Sequence, residues 1–236
     1  MIRILLAFQI LFAACAFGQD SAVIKTRLLT YALGGLPDDF MGYFKSGEQI
    51  IMFRASGGTL GVPVSYQGPR RLILRESEAA FAAAPESQQA KPPIASVDLP
   101  ENASNVLILA APAETGNKIQ LMAYDISPGS LAKGEYRVFN FSHSMVSMIF
   151  GTQKFVLPSG RDTIVRDGSW HEKVMTFPIR IATVKENLAK PVYSNFWEHH
   201  PSNRTLLFMF NGNRPTQAIR FMDFSVDIPA EESAGL

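Results

Sequence analysis

A chain of 236 residues with 47% hydrophobic and 18% charged content is too apolar for a disordered polymer. Its 15 prolines and 17 glycines, scattered along most of the length, exclude a coiled coil and weigh against a helix-rich fold. A formal net charge of +1, without a Lys/Arg cluster, excludes a nucleic-acid binder that depends on phosphate contacts.

Met1-Ile2-Arg3 precedes an apolar run over residues 4–14, and Ala16-Phe17-Gly18 supplies a small-x-small site. One positive charge, an apolar core and a small-residue exit describe a secretory signal peptide over residues 1–18. The run is shorter than the roughly 20 residues of a membrane span. Two processing routes fit. Cleavage after Gly18 leaves a soluble chain beginning at Gln19, which is the expected product. Alternatively, Leu11-Phe12-Ala13-Ala14-Cys15 resembles the bacterial lipobox, with Phe12 where that pattern prefers leucine, and Cys15 would carry a lipid anchor. Either route predicts an exported protein, periplasmic or extracellular. Cys15 is the one cysteine, so both routes leave the folded part without a thiol. Disulfides, thiolate catalysis and Cys-containing metal centres are thereby excluded. Loss of Arg3 brings the 22 basic residues level with the 21 acidic ones, a neutral mature chain.

Beyond the leader, short apolar runs separated by turn residues recur at about 8–14 residues, the signature of an all-β fold. Residues 62–66 and 71–74 read as strands, with Gln67-Gly68-Pro69 as the turn between them. Ser77 is a fair N-cap for a short helix over residues 78–84, stopped by Pro85, within a surface loop spanning 76–93. Residues 106–109 and 206–210 are apolar on both faces. They predict central strands, or strands covered on the second side by a neighbouring domain or a partner. Residues 112–116 are the expected domain junction. Ile119, Leu121 and Ala123 then alternate with Lys118 and Gln120, a half-buried strand. Gly151-Thr152 predicts a two-residue type II′ hairpin, and Pro158-Ser159-Gly160 a type I turn. Met175, Phe177, Ile179 and Ile181 form the inward set of a later strand, whose Pro178 predicts an edge or a bulge.

The fold expected from this pattern is all-β, of antiparallel sandwich type and immunoglobulin-like in general character. It divides into two domains in tandem, residues 19–112 and 113–228, with a tail over 229–236. One continuous sandwich is the alternative.

Four histidines invite functional readings. His143 and Met145 share a strand face near Met148, a set that could hold copper in an exported protein; core methionines beside a turn histidine are the expected reading. Trp170-His171-Glu172 resembles a fragment of the H-E-x-x-H zinc helix, but Met175 occupies the last position and the segment is strand-like. Trp197-Glu198-His199-His200 is the densest cluster and the candidate binding surface. Trp197 would be its aromatic anchor, and the histidines could make it pH-sensitive. Adjacent histidines on a strand point to opposite faces, so they do not suit one shared ion; the blander expectation is a strand terminus before Pro201.

Nucleophile-elbow, P-loop and dinucleotide-binding motifs do not occur in the chain. Asp38, Asp39 and Asp162 read as turn carboxylates, although paired glycosidase acids can be hidden at any separation. Of three N-x-S/T sequons, at Asn102, Asn140 and Asn203, the one at Asn140 lies in a strand-like run and reads as accidental. No catalytic residue, cofactor or metal ligand is assigned. The expected function is non-catalytic binding of a protein, glycan or cell-envelope partner. A secreted hydrolase with loop-borne acids, with glycans among its candidate substrates, and a copper- or zinc-handling protein are the alternatives.

Overall fold

The structure, a computed structural model, describes residues 23–34, 36, 40–81, 92–113, 119–167, 170, 173–186, 188–212 and 219–226. The expected leader and tail lie outside these residues. Among the described residues are sixteen strands, one short 3-10 turn and no α-helix. The strands are β1 (Val23–Ala32), β2 (Phe40–Ser46), β3 (Gln49–Ala55), β4 (Val64–Pro69), β5 (Arg71–Leu74), β6 (Ala95–Asp98), β7 (Asn105–Pro112) and β8 (Ile119–Asp125). They continue as β9 (Tyr136–Asn140), β10 (Met145–Phe150), β11 (Gln153–Leu157), β12 (Arg161–Val165), β13 (Met175–Lys185), β14 (Leu188–His199), β15 (Thr205–Asn211) and β16 (Ile219–Ser225).

The first eight strands form one sheet in the order β4-β1-β7-β8 and two hairpins, β2-β3 and β5-β6. An antiparallel bridge between Tyr43 and Arg75 joins the hairpins into the order β3-β2-β5-β6. The last eight strands form β12-β9-β15-β16 and β11-β10-β13-β14. Counted from its own first strand, the second set repeats the order of the first. The pairing is not wholly antiparallel as expected: β1 with β7, and β9 with β15, run parallel, each in a sheet that is otherwise antiparallel.

Alternation along the strands feeds three cores. Val106, Ile108 and Ala110 of β7 join Leu28, Phe44, Phe53 and Leu74 in the first. Leu207 and Met209 of β15 join Val146, Phe150, Phe177 and Ile179 in the second. The third core takes the remaining faces: Leu29, Tyr31, Leu107 and Leu109 from one sheet, Phe139, Leu206, Phe208 and Phe210 from the other. There Phe208 stacks on Tyr31 at 5.1 Å and on Phe139 at 4.9 Å. Both doubly apolar runs are therefore central strands, each covered on its second face by the sheet that holds the other.

Several local expectations need correction. The junction placed at residues 112–116 falls between paired strands, because Pro112 of β7 lies opposite Ile119 of β8. The chain changes sheet later, between Asp125 and Tyr136. Gly68 and Pro69 are not a turn but the end of β4, opposite Ile24 and Val23. As an edge strand, β4 tolerates the missing proline donor. Pro178 sits in β13, which is interior, one residue beyond the end of the β10 ladder at Ile179. Its carbonyl accepts from Gly151 N–H at 2.9 Å. The bulge in β13-β14 comes later, between Ile181 and Ala182. Gly160 has φ 70° in the third position of the Pro158–Arg161 turn, which excludes type I. The expected helix after Ser77 is a 3-10 turn, Glu78–Phe81, and residues 82–91 lie outside the described set.

Candidate functional site

β14 is an edge strand, and its side chains alternate towards and away from the second core. The predicted cluster at its end is split by that alternation. His199 is fully buried, and the phenol of Tyr136 donates to its Nδ1 at 2.9 Å. Its Nε2 lies 2.6 Å from the Trp170 carbonyl, which can only accept, so the ring proton sits on Nε2. The rings of Tyr136, Trp170 and Phe177 surround it at 5.7, 5.6 and 6.2 Å. His199 is thus an internal pin with both nitrogens engaged. Trp197 is half-buried, donates from Nε1 to the Tyr193 hydroxyl at 2.7 Å and packs on Phe150. Glu198 and His200 are exposed and lie 3.2 Å apart. What β14 presents outward is Phe196, 68% exposed, beside this polar pair.

The other sequence candidates are also dispersed. His143 and Met145 are exposed while Met148 is fully buried, so they share no pocket. Among the described residues no group of three or more His, Cys, Asp or Glu could hold a metal ion. His171, Glu172, Asp38 and Asp39 lie outside the described residues. Asp162 is paired with Arg137 at 2.8 Å. Asn140 is fully buried and its amide donates to the carbonyls of Ser144 and Leu157, as an accidental sequon requires.

Two concave surfaces stand out. One, of about 530 Å³, lies where the chain passes from the first set of sheets to the second, beside Tyr124, Asp125, Arg137 and Arg166. Its charges satisfy one another. Arg137 bonds Asp162 and the Asp125 carbonyl and lies over the Tyr124 ring, and Arg166 pairs with Glu135 at 3.1 Å. Burial pushes the Asp125 carboxyl up, but hydrogen bonds from Ser127 and Ser130, with the Arg137 charge, bring it below its ordinary value. This network is a structural stitch.

The other cavity, of about 480 Å³, opens between β2 and β5. Its origin is local. β2 and β5 touch through one bridge, with Tyr43 and Arg75 exchanging two hydrogen bonds of 2.9 Å. Past that point the end of β2 is bonded elsewhere. Gly47 N–H donates to the Gln67 carbonyl at 2.6 Å, and Gln67 N–H donates to Ser46 Oγ at 2.9 Å. β2 therefore leaves β5 for β4, and the gap is lined by the apolar faces of Ile73 and Phe81 above the buried Tyr66. The charged side chains lining it, among the described residues, are Lys45, Arg71 and Arg75. The equivalent strands of the second set, β10 and β13, pair over six residues, from Met145 opposite Val184 to Phe150 opposite Ile179. The same place is closed in one set and open in the other.

Sequence reasoning missed this surface. Its signal was Arg71-Leu72-Ile73-Leu74-Arg75, in which Leu72 and Leu74 are buried and the two arginines flank Ile73 on the opposite face. The chain matches no family model and no curated protein.

Proposed function

We propose that this chain is an exported, non-catalytic binding protein for a protein, glycan or cell-envelope partner, built as two β-sandwich domains in tandem with a general immunoglobulin-like character. The repeated strand order and the separate first and second cores support the tandem reading, with the third core as the contact between the domains. The leader-like residues 1–18 support export, by cleavage after Gly18 or by acylation of Cys15.

The observation that carries the binding reading is the open β2-β5 gap. It combines an apolar lining with convergent polar groups, which is the usual make-up of a recognition site. Of the turn carboxylates and histidines singled out in the sequence, Asp162 is bonded to Arg137, and His199 to Tyr136 and Trp170. Hydrogen exchange on the mature protein, alone and with a cell-envelope fraction of its native host, tests the reading. Protection confined to residues 45–47 and 66–75 is expected. Protection elsewhere or nowhere, or turnover of glycoside, ester or peptide substrates that a single acid or histidine substitution abolishes, overturns it. Intact mass of the mature protein decides the processing route.

A further inference from the structure

Among the described residues β14 is the longest strand, stands last in its sheet and pairs with β13 alone. The direction of its other backbone groups follows from Pro178. The Pro178 carbonyl accepts from Gly151 N–H, on the β10 side of β13. A strand residue points its nitrogen and its carbonyl to one side, and that side alternates along the chain. Phe196 lies opposite Pro178, so its N–H and C=O point away from β13. Ser194 and Glu198, opposite Arg180 and Thr176, face the same way. Within the monomer the Phe196 N–H donates to Asn195 Oδ1 at 2.9 Å, as an outward-facing donor needs.

This edge is bounded at both ends. The register shift between Ile181 and Ala182 leaves Val192 without an opposite residue and bends the strand there. Pro191 has no donor to offer, and Pro201 follows soon after the strand ends at His199. The regular segment is residues 193–199, with Phe196 at its midpoint. Such a segment complements itself. Antiparallel pairing about Phe196 sets Phe196 against the partner's Phe196, and Ser194 against the partner's Glu198 in both directions. All the outward residues of both copies are then engaged, in about six hydrogen bonds. A register slipped either way engages fewer of them. Side chains favour the same register. Phe196 is 68% exposed, and the pairing covers a ring that the monomer leaves in water. On that face Ser194 would stand between Arg180, its neighbour in its own chain, and the partner's Glu198. Two strand spacings, about 10 Å between backbones, are within joint reach of Arg and Glu over a small serine. Within one chain Arg180 and Glu198 are about 13 Å apart along the strand, since Thr176 is the residue opposite Glu198. His200 lies 3.2 Å from Glu198, but both are largely exposed and water weakens that pairing.

We infer that β14 is a self-association edge: two copies of this chain join across a two-fold axis at Phe196, β14 against β14, into one continuous sheet. An isologous contact of this kind closes at a dimer. The inference is independent of the β2-β5 cavity.

Sedimentation velocity of the mature chain, from about 1 μM to about 1 mM, is the test. A reversible rise from monomer to dimer mass, with nothing larger, is expected of so small an interface. In hydrogen exchange the amides of Ser194, Phe196 and Glu198 should gain protection with concentration. Those of Asn195 and Trp197, which face β13, should be protected throughout. Glu198→Arg and Arg180→Glu each set like charges together twice in the dimer, and each should weaken it by about tenfold or more. An equimolar mixture of the two variants restores both attractive pairs and should recover a heterodimer of parental strength. Ser194→Pro removes an outward donor without touching the β13 ladder, and should abolish association with the circular dichroism spectrum unchanged. If that variant misfolds, the charge-swapped mixture still decides. A monomer throughout, a dimer indifferent to these substitutions, a mixture that does not recover, or growth beyond two copies each overturns the inference. Protection of residues 193–199 that arises only with the cell-envelope fraction assigns the edge to a foreign strand, and overturns it too.

Discussion

His199 shows how one neighbour changes the meaning of a side chain. It and His200 are adjacent, yet one is fully buried and bonded at both nitrogens while the other is exposed beside Glu198. Truncating His199→Ala strands the Tyr136 hydroxyl and the Trp170 carbonyl and leaves a void among aromatic rings. A loss of about 2–4 kcal/mol is expected in urea unfolding, whereas His200→Ala should stay within about 0.5 kcal/mol of the parent. Equal effects would contradict the buried-pin assignment. A second residue-scale consequence concerns alkaline pH. Burial pushes the Tyr66 phenol up to about 12 from 10.0, and burial likewise raises Tyr136 and Tyr124. The folded state favours the protonated phenol. Its contribution is whole below pH 10 and is lost as pH rises towards 12. Tyr66→Phe should therefore flatten the decline of stability over that interval, measured by denaturant midpoints at successive pH values. It should also cost about 1 kcal/mol at neutral pH through the lost bond to Pro69.

Within single elements, the turns decide the register. Phe150 lies opposite Gln153, so Gly151-Thr152 is the two-residue loop that the sequence predicts. Gly151 has φ 61° while Thr152 is not in the left-handed region, as a II′ turn demands. A Cβ on Gly151 would also come within 2.9 Å of the buried Trp170 ring. Gly151→Ala thus meets two penalties, backbone strain and a clash in the second core, and should destabilise by about 1–3 kcal/mol. Thermal or chemical unfolding of that variant checks the expectation; an unchanged midpoint would mean that Trp170 is not packed against the turn. The β2-β3 turn is the counterexample. Ser46 and Gly47 show no sign in sequence that they bond to Gln67 twenty residues away, and this bond opens the β2-β5 gap.

The whole molecule depends on Phe208 and its neighbours in the third core. Phe208 is fully buried and stacks on Tyr31 from the first set of strands and on Phe139 from its own. Phe208→Ala should cost about 3–5 kcal/mol. Because the first and second cores do not share residues, a weakened third core should let them unfold separately. The parent is expected to unfold in one step and Phe208→Ala in two, by calorimetry or by tryptophan fluorescence, which reports only the second set through Trp170 and Trp197. One undivided transition in the variant would show that the two cores are coupled by other contacts.

The all-β class was legible in the chain itself, since two-residue alternation and turn residues act over a few positions and owe little to distant contacts. The same pattern marked β7 and β15 as buried on both faces. Which surface covered the second face was a tertiary matter, settled by two sheets meeting through Leu107, Leu109, Leu206 and Phe208. The Arg71-Ile73-Arg75 face was also written in the sequence, but its cavity was not. That opening arises because β2 bonds β4 instead of completing a ladder with β5, and hydrogen bonds between strands far apart in the chain leave no trace in local composition.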